Sequence, residues 1–375
     1  MTEASSSVFA EGSSRRRGED ASFALVPFFE RSLLEWLSDE SAIIAAGDWR
    51  DGAVMELVGE ARLLPARYDG CFQGVRELQA VGSEHHAHVD LGRVHSIEYV
   101  IAPSVCLGFR PSLEVRYLNT GPGGSRTGRV MIRALVNSLY TKGGVNGHAV
   151  STWYQRYIRD VAERPDRVRL ILSQEASEAA EGTAFLDALA KASNMRLPCW
   201  SDAAQLLTSA EKPAVAPSGP IFRDLLEDAI ALYDASLVIF RDRTLVEFKT
   251  EELAGVFEYT ESGHSSWQIG ATDSHHCHLA LNAVTSVEFS AEPVPCQGNR
   301  VNYTIWFLVA GGCGNPFRSD GYFSVTLNRP YDGHRRRWDV ILPLVELYEK
   351  YRQHDWVCAD NGFISAVADI PVGGS

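Results

Sequence analysis

Residues 85–118 read HHAHVDLGRVHSIEYVIAPSVCLGFRPSLEVRYL, and residues 275–308 read HHCHLALNAVTSVEFSAEPVPCQGNRVNYTIWFL. The two stretches align without a gap at an offset of 190, and 12 of their 34 positions are identical. Unrelated segments of ordinary composition would share about two. Many of the remaining pairs are conservative, among them Ile97 with Val287, Tyr99 with Phe289, Val115 with Ile305 and Tyr117 with Phe307. A fixed-offset match is the mark of an internal repeat and governs the reading of the fold. The chain reads as a tandem duplication.

The flanks extend the match. Each block is followed by a Gly-rich stretch, Gly121–Gly128 and Gly311–Gly321, and then by a β-like run, VMIRALV from Val130 and YFSVTL from Tyr322. Gly147-His148 and Gly333-His334 come next, and a helical pattern follows near Trp153 and near Trp338. In the second copy Trp338, Ile341, Leu342, Val345 and Tyr348 recur at helical spacing. Upstream, Phe29, Leu33, Leu34 and Leu37 and then DESAIIAAG suggest helix in the first copy; FLDALAKASNM and SDAAQLL suggest it in the second. The second copy adds an amphipathic helix from Ile221, after the Pro-rich stretch Glu211–Pro220. SLVIF and TLVEF, split by Arg241-Asp242-Arg243, read as a hairpin. Each half is therefore helices, then antiparallel strands, then a closing helix. The expected class is α+β, built from two similar halves packed together. The expected boundaries are a disordered segment 1–22, a first repeat 23–165, a second repeat 166–360 and a tail 361–375.

Composition narrows the partners. Lys and Arg total 35 against 48 Asp and Glu, a net charge of −13. That charge repels phosphate backbones and anionic lipid, which argues against nucleic acid and membrane as partners. No apolar run approaches the eighteen or so residues that span a bilayer. Met1–Asp20 lacks the apolar core of a secretory signal. Seven cysteines, an odd number without dense spacing, suit a reducing compartment. Cytoplasmic location is the expectation.

Six of the eleven histidines fall in two His-His-x-His clusters: His85, His86 and His88, and their counterparts His275, His276 and His278. On a strand, side chains alternate, so His86, His88 and Asp90 share one face, as do His276 and His278. His85 and His275 point the other way, as does Cys277. Two imidazoles two residues apart can hold one metal, and Asp90 supplies a third ligand type in the first copy only, because residue 280 is Ala. The alternative is that the histidines are hydrogen-bonded structural residues kept in both copies. No C-x-x-C or H-E-x-x-H zinc signature occurs. C-x-G-x-R occurs twice, at Cys106-Gly108-Arg110 and Cys296-Gly298-Arg300; a turn glycine explains it, and the arginines could also pair with a carboxylate.

The two-repeat layout, and the block HCHLALNAVTSVEFSAEP followed by a turn and NYTIWFLVAGG, resemble the cytoplasmic haem-utilisation family typified by HemS and ChuS, with its single-repeat ChuX-like relatives. The resemblance spans roughly Phe28 to Tyr351. It implies two halves, each a large antiparallel sheet with flanking helices, and a protein that binds haem and passes it on or degrades it. In the single-repeat relatives a ligating His matches the last of the cluster, hence His278 and its counterpart His88. The two-repeat members use instead a His at the helix opening the second half, where this chain has Thr183, and no His lies between His148 and His264.

Three functions follow as expectations. The first is a haem-binding protein, with trafficking, degradation or haem-dependent oxidation as its role, an axial imidazole from His278 or His88, and Arg110, Arg300 or Arg335 for the propionates. The second is a non-haem Fe, Cu or Zn oxidoreductase acting on a small molecule, held by His86, His88 and Asp90 or by His275, His276 and His278. The third is a non-catalytic binding module in which the histidines are structural.

Overall fold

A computed structural model describes residues 24–38, 42–48, 53–58, 61–65, 74–104, 110–119, 130–136, 139–142, 144–173, 191, 204–207, 221–241, 244–253, 255–261, 264–270, 275–279, 281, 284–294, 300–308 and 321–369. Thr183, the Gly-rich stretches before Gly321 and the Cys-x-Gly turns lie outside them.

Helix α1 (Val26–Leu37) opens the first half. Strands β1 (Ala42–Asp48), β2 (Ala53–Val58), β3 (Ala61–Pro65), β4 (Val75–Ala80), β5 (His86–Asp90), β6 (Val94–Ser104), β7 (Arg110–Asn119) and β8 (Val130–Val136) follow. A small hairpin of β9 (Tyr140–Thr141) and β10 (Gly144–Val145) leads into helix α2 (Gly147–Glu163), then β11 (Val168–Ser173) and β12 (Ala204–Leu207). The second half repeats the order. Helix α3 (Ile221–Ile230) precedes β13 (Ala235–Arg241), β14 (Thr244–Lys249), β15 (Val256–Glu261), β16 (His264–Ile269), β17 (His276–Leu279), β18 (Ser286–Val294), β19 (Arg300–Leu308) and β20 (Gly321–Leu327). The hairpin β21 (Tyr331–Asp332) and β22 (Arg335–Arg336) leads into α4 (Trp338–Tyr351), β23 (Val357–Ala359) and α5 (Asn361–Ala368). The class is α+β.

Two large sheets result, one in the order β12-β11-β6-β7-β8-β1-β2-β17-β16-β15, the other β23-β18-β19-β20-β13-β14-β5-β4-β3. Each draws strands from both halves of the chain. β15–β17 complete the sheet of the first half by pairing with β2, and β3–β5 complete the sheet of the second by pairing with β14. Registers correspond across the offset: Ile97 pairs with Tyr117 and Val287 with Phe307; His276 pairs with Glu56 and His86 with Glu247. The sheets approach one another through β1 and β2 on one side and β13 and β14 on the other.

Two runs read as helical are strands. AIIAAGD forms β1 between β8 and β2, and AQLL forms β12 parallel to β11. Runs of four to seven residues are of strand length, and ladder pairing on a neighbouring strand decides between the two states. The region 361–375 is not all tail: Asp360 caps α5 by accepting the Phe363 N–H, and Phe363 packs against Phe289 with ring centroids 5.7 Å apart.

Helices pack against each sheet. Trp153 of α2 is fully buried against Tyr99, at 5.4 Å. Asn146 caps α2 by accepting the N–H groups of His148 and Ala149. Asp160, fully buried, accepts from Tyr99 Oη at 2.8 Å and Ser32 Oγ at 3.1 Å, tying α1 and α2 to β6. In the second half Phe289 packs on Tyr348 of α4 at 5.2 Å. Among the described residues no helix is long and apolar enough to cross a membrane. Cys277 is a buried free thiol.

Candidate functional site

Both histidine clusters lie on short strands deep in a sheet, β5 and β17, with neighbours on either side. The alternation expected from period two holds. His88 and His278 are buried, as are Ala87, Val89, Cys277 and Leu279 on the opposite faces. His86 and His88 meet edge to face with centroids 5.0 Å apart and planes at 87°; His276 and His278 do the same at 4.9 Å and 87°. Two couples of identical geometry therefore occupy matching registers in the two sheets.

His85 and His275 turn away from these couples and meet each other. Their rings are 4.8 Å apart at 77°, and His85 stacks on Phe248 at 4.6 Å. The Lys249 N–H donates to His85 Nδ1 at 3.1 Å, so the ring proton resides on Nε2, 3.8 Å from a Glu252 oxygen. Burial, reinforced by His275, lowers the His85 pKa to about 4; burial lowers His275 as well. Burial alone would raise Glu252, but the Ser83 hydroxyl donating at 2.6 Å and the neighbouring His85 hold it below its ordinary value. His85 and His275 thus form a neutral imidazole contact between the chain's two halves.

Asp90 is engaged by its own turn. Its Oδ1 accepts the Gly92 N–H at 3.1 Å, closing the 3-10 turn Leu91–Arg93, and its Oδ2 lies 3.9 Å from Arg93 Nε. Among the described residues no group of three or more His, Cys, Asp or Glu side chains converges to hold a metal ion. Among those residues neither His86, His88 and Asp90 nor His275, His276 and His278 converge on one point, and His275 packs on His85 instead.

The arginines stand apart from the couples. Arg110 begins β7, in the same sheet as His278 but four strands away, or about 19 Å at the usual spacing. Its side chain lies outside the described residues. Arg300 begins β19, four strands from His88, again about 19 Å. Arg300 and Arg335 are both exposed, and Arg300 donates to the Gly333 carbonyl at 2.7 Å. An open cavity of about 410 Å³ lies between the turn Val81–Glu84 and Glu252, with Arg62 on its rim. Neither His88 nor His278 lines it.

Two features escaped the sequence reading. Glu292 is pushed up to about 7 by burial and by neighbouring Asp360, itself raised by burial. Nothing in periodicity announces a carboxylate pair formed by residues 68 positions apart. The arginine-rich hairpin 331–337 was legible as composition but not as a surface.

No family model and no curated protein matches the chain. Among solved structures it is similar to the haem-degrading enzyme ChuS of Escherichia coli O157:H7, with a TM-score of 0.44 and 12% identity over 88% of this chain and 90% of that one. It is also similar to holo-PhuS, a haem-binding protein from Pseudomonas aeruginosa, with a TM-score of 0.43 and 10% identity over 83% of each chain. Neither value assigns this chain a family or a ligand.

Proposed function

We propose that this protein binds haem, with His278 or His88 supplying the axial imidazole. The observation that carries the reading is the pair of matched histidine couples. They persist in equal geometry at 4.9 and 5.0 Å although 22 of the 34 aligned positions differ. The resemblance of the same block to the haem-utilisation family supports it, since the single-repeat relatives of that family place a ligating His at the last position of the cluster. Imidazole is a suitable donor for haem iron, and Thr183 offers nothing comparable. Bound haem would supply a redox-active iron; this chain's part is to hold and enclose it. The fit is partial. His278 has His276 beside it and Gln268 as its partner on β16, both polar, so apolar walls for a macrocycle must come from another layer. Propionates near either histidine would lie about 19 Å from Arg110 or Arg300 of the same sheet, which favours other groups as their partners.

We also infer that residues 23–165 and 166–360 descend from one duplicated unit whose halves exchanged three strands each. The matched registers at the offset of 190 support this. Titration of haemin into purified protein tests the ligand: a Soret band that saturates at one haem per chain is expected. No saturable band, or saturation by free metal ions in place of haem, would contradict it.

A further inference from the structure

The hairpin β21–β22 and its counterpart β9–β10 have the same register, Tyr331 with Arg336 and Tyr140 with Val145, Asp332 with Arg335 and Thr141 with Gly144. Where the first half has Gly144-Val145-Asn146, the second has Arg335-Arg336-Arg337. Three consecutive positive charges were therefore introduced at one register of one half, in a chain whose net charge is −13.

Two of the three serve the fold. Arg337 donates to Asp234 at 3.2 Å and to Asp339 at 3.1 Å, and Arg336 donates to Asp369 at 3.2 Å. Asp234 itself, buried and in the left-handed region at φ 57°, also takes Arg329 at 2.9 Å. This fastens the base of the hairpin on both sides. At its tip the balance changes. Arg335 is exposed and pairs with no carboxylate among the described residues, and the same holds for Arg300. Arg300 reaches under the turn to the Gly333 carbonyl, and Arg335 follows Gly333 by two residues, at most about 7 Å of chain. Both arginines therefore belong to one turn.

We propose that this turn is a docking surface for an acidic segment of a partner protein, whose carboxylates are taken by Arg300 and Arg335. Guanidinium forks suit carboxylates, and neither arginine lies within ion-pair distance of a described carboxylate, although Asp332 stands opposite Arg335 in the hairpin. The site is a protruding turn rather than a cavity, which suits groups displayed on another surface better than an enclosed small molecule. Two arginines match a short acidic cluster, whereas nucleic acid would require a longer basic track. Exposed ion pairs are individually weak, so the docking should be salt-sensitive and act chiefly on the rate of association.

A fluorescein-labelled hexaglutamate peptide, followed by anisotropy on the full chain at low ionic strength, tests this. Saturable binding is expected, weakened at least fivefold by Arg335→Glu, which touches no folding contact, and unaffected by Lys142→Gln in the counterpart turn. Arg300→Gln should weaken it as well, with Arg335→Glu deciding if that variant loosens the hairpin. The thermal unfolding midpoint of Arg335→Glu should match that of the unaltered chain. Unchanged peptide binding in Arg335→Glu would overturn the proposal. So would tighter binding of a single-stranded oligonucleotide of equal charge.

Discussion

At the scale of single residues, His85 makes the sharpest prediction. Its folded pKa of about 4 lies below the ordinary 6.5, so between those values the unfolded chain binds the extra proton. Its contribution is fully present above pH 6.5 and is lost as pH falls toward 4. The shift corresponds to roughly 3 kcal/mol. Urea unfolding at pH 7 and at pH 4.5 should show that loss, and His85→Leu should flatten it. The same variant should cost about 1–3 kcal/mol at pH 7, because the Lys249 N–H loses its acceptor. An equal pH slope in the variant and the unaltered chain would contradict this account of His85. The alternation of His85 against His86 and His88 was legible from the period of a strand. The partner of His85 was not, because Lys249 and His275 lie on elements far away in sequence, and periodicity carries no information about them.

At the scale of elements, the repeated block announced β6 and β7 with their counterparts β18 and β19, since a gapless match preserves register as well as pattern. The short runs now seen as β1 and β12 were misjudged, because Ala and Ile in four to seven residues satisfy either period and only the ladder resolves them. Two variants probe what holds the elements. Asp160→Ala removes the buried carboxylate that Tyr99, Ser32 and Arg159 share; Arg159 keeps Glu35 and Ser32 keeps Tyr117, but the buried Tyr99 hydroxyl loses its acceptor. A loss of about 2–3 kcal/mol in chemical denaturation is expected, and a loss below about 1 would show that the tie is not structural. Gly270 ends β16 with φ 92°, and a Cβ there would come within 2.5 Å of the His275 carbonyl. Gly270→Ala should therefore displace the start of β17 and lower the melting temperature by several degrees, about the effect of 1–3 kcal/mol.

At the scale of the whole molecule, the two halves were legible in the sequence but their exchange of strands was not. A strand's pattern shows which face is buried; it does not show which sheet receives it. Because β3–β5 pair with β14 and β15–β17 with β2, each half alone would leave three strands without their sheet and one interior strand as an open edge. A fragment of residues 1–165 should remain unfolded by circular dichroism and amide exchange, while the full chain unfolds in one cooperative transition. A stable, well-dispersed fragment would show that the exchange is dispensable. The central claim, that haem iron is held by one of the matched histidine couples, is tested most directly by resonance Raman spectra of the haem complex. The spectra would be taken on the unaltered chain, on His278→Ala, on His88→Ala and on the double variant. The account predicts an iron–imidazole signature that is lost in one single variant and in the double variant. An unchanged signature in all three would place the iron elsewhere and contradict the account.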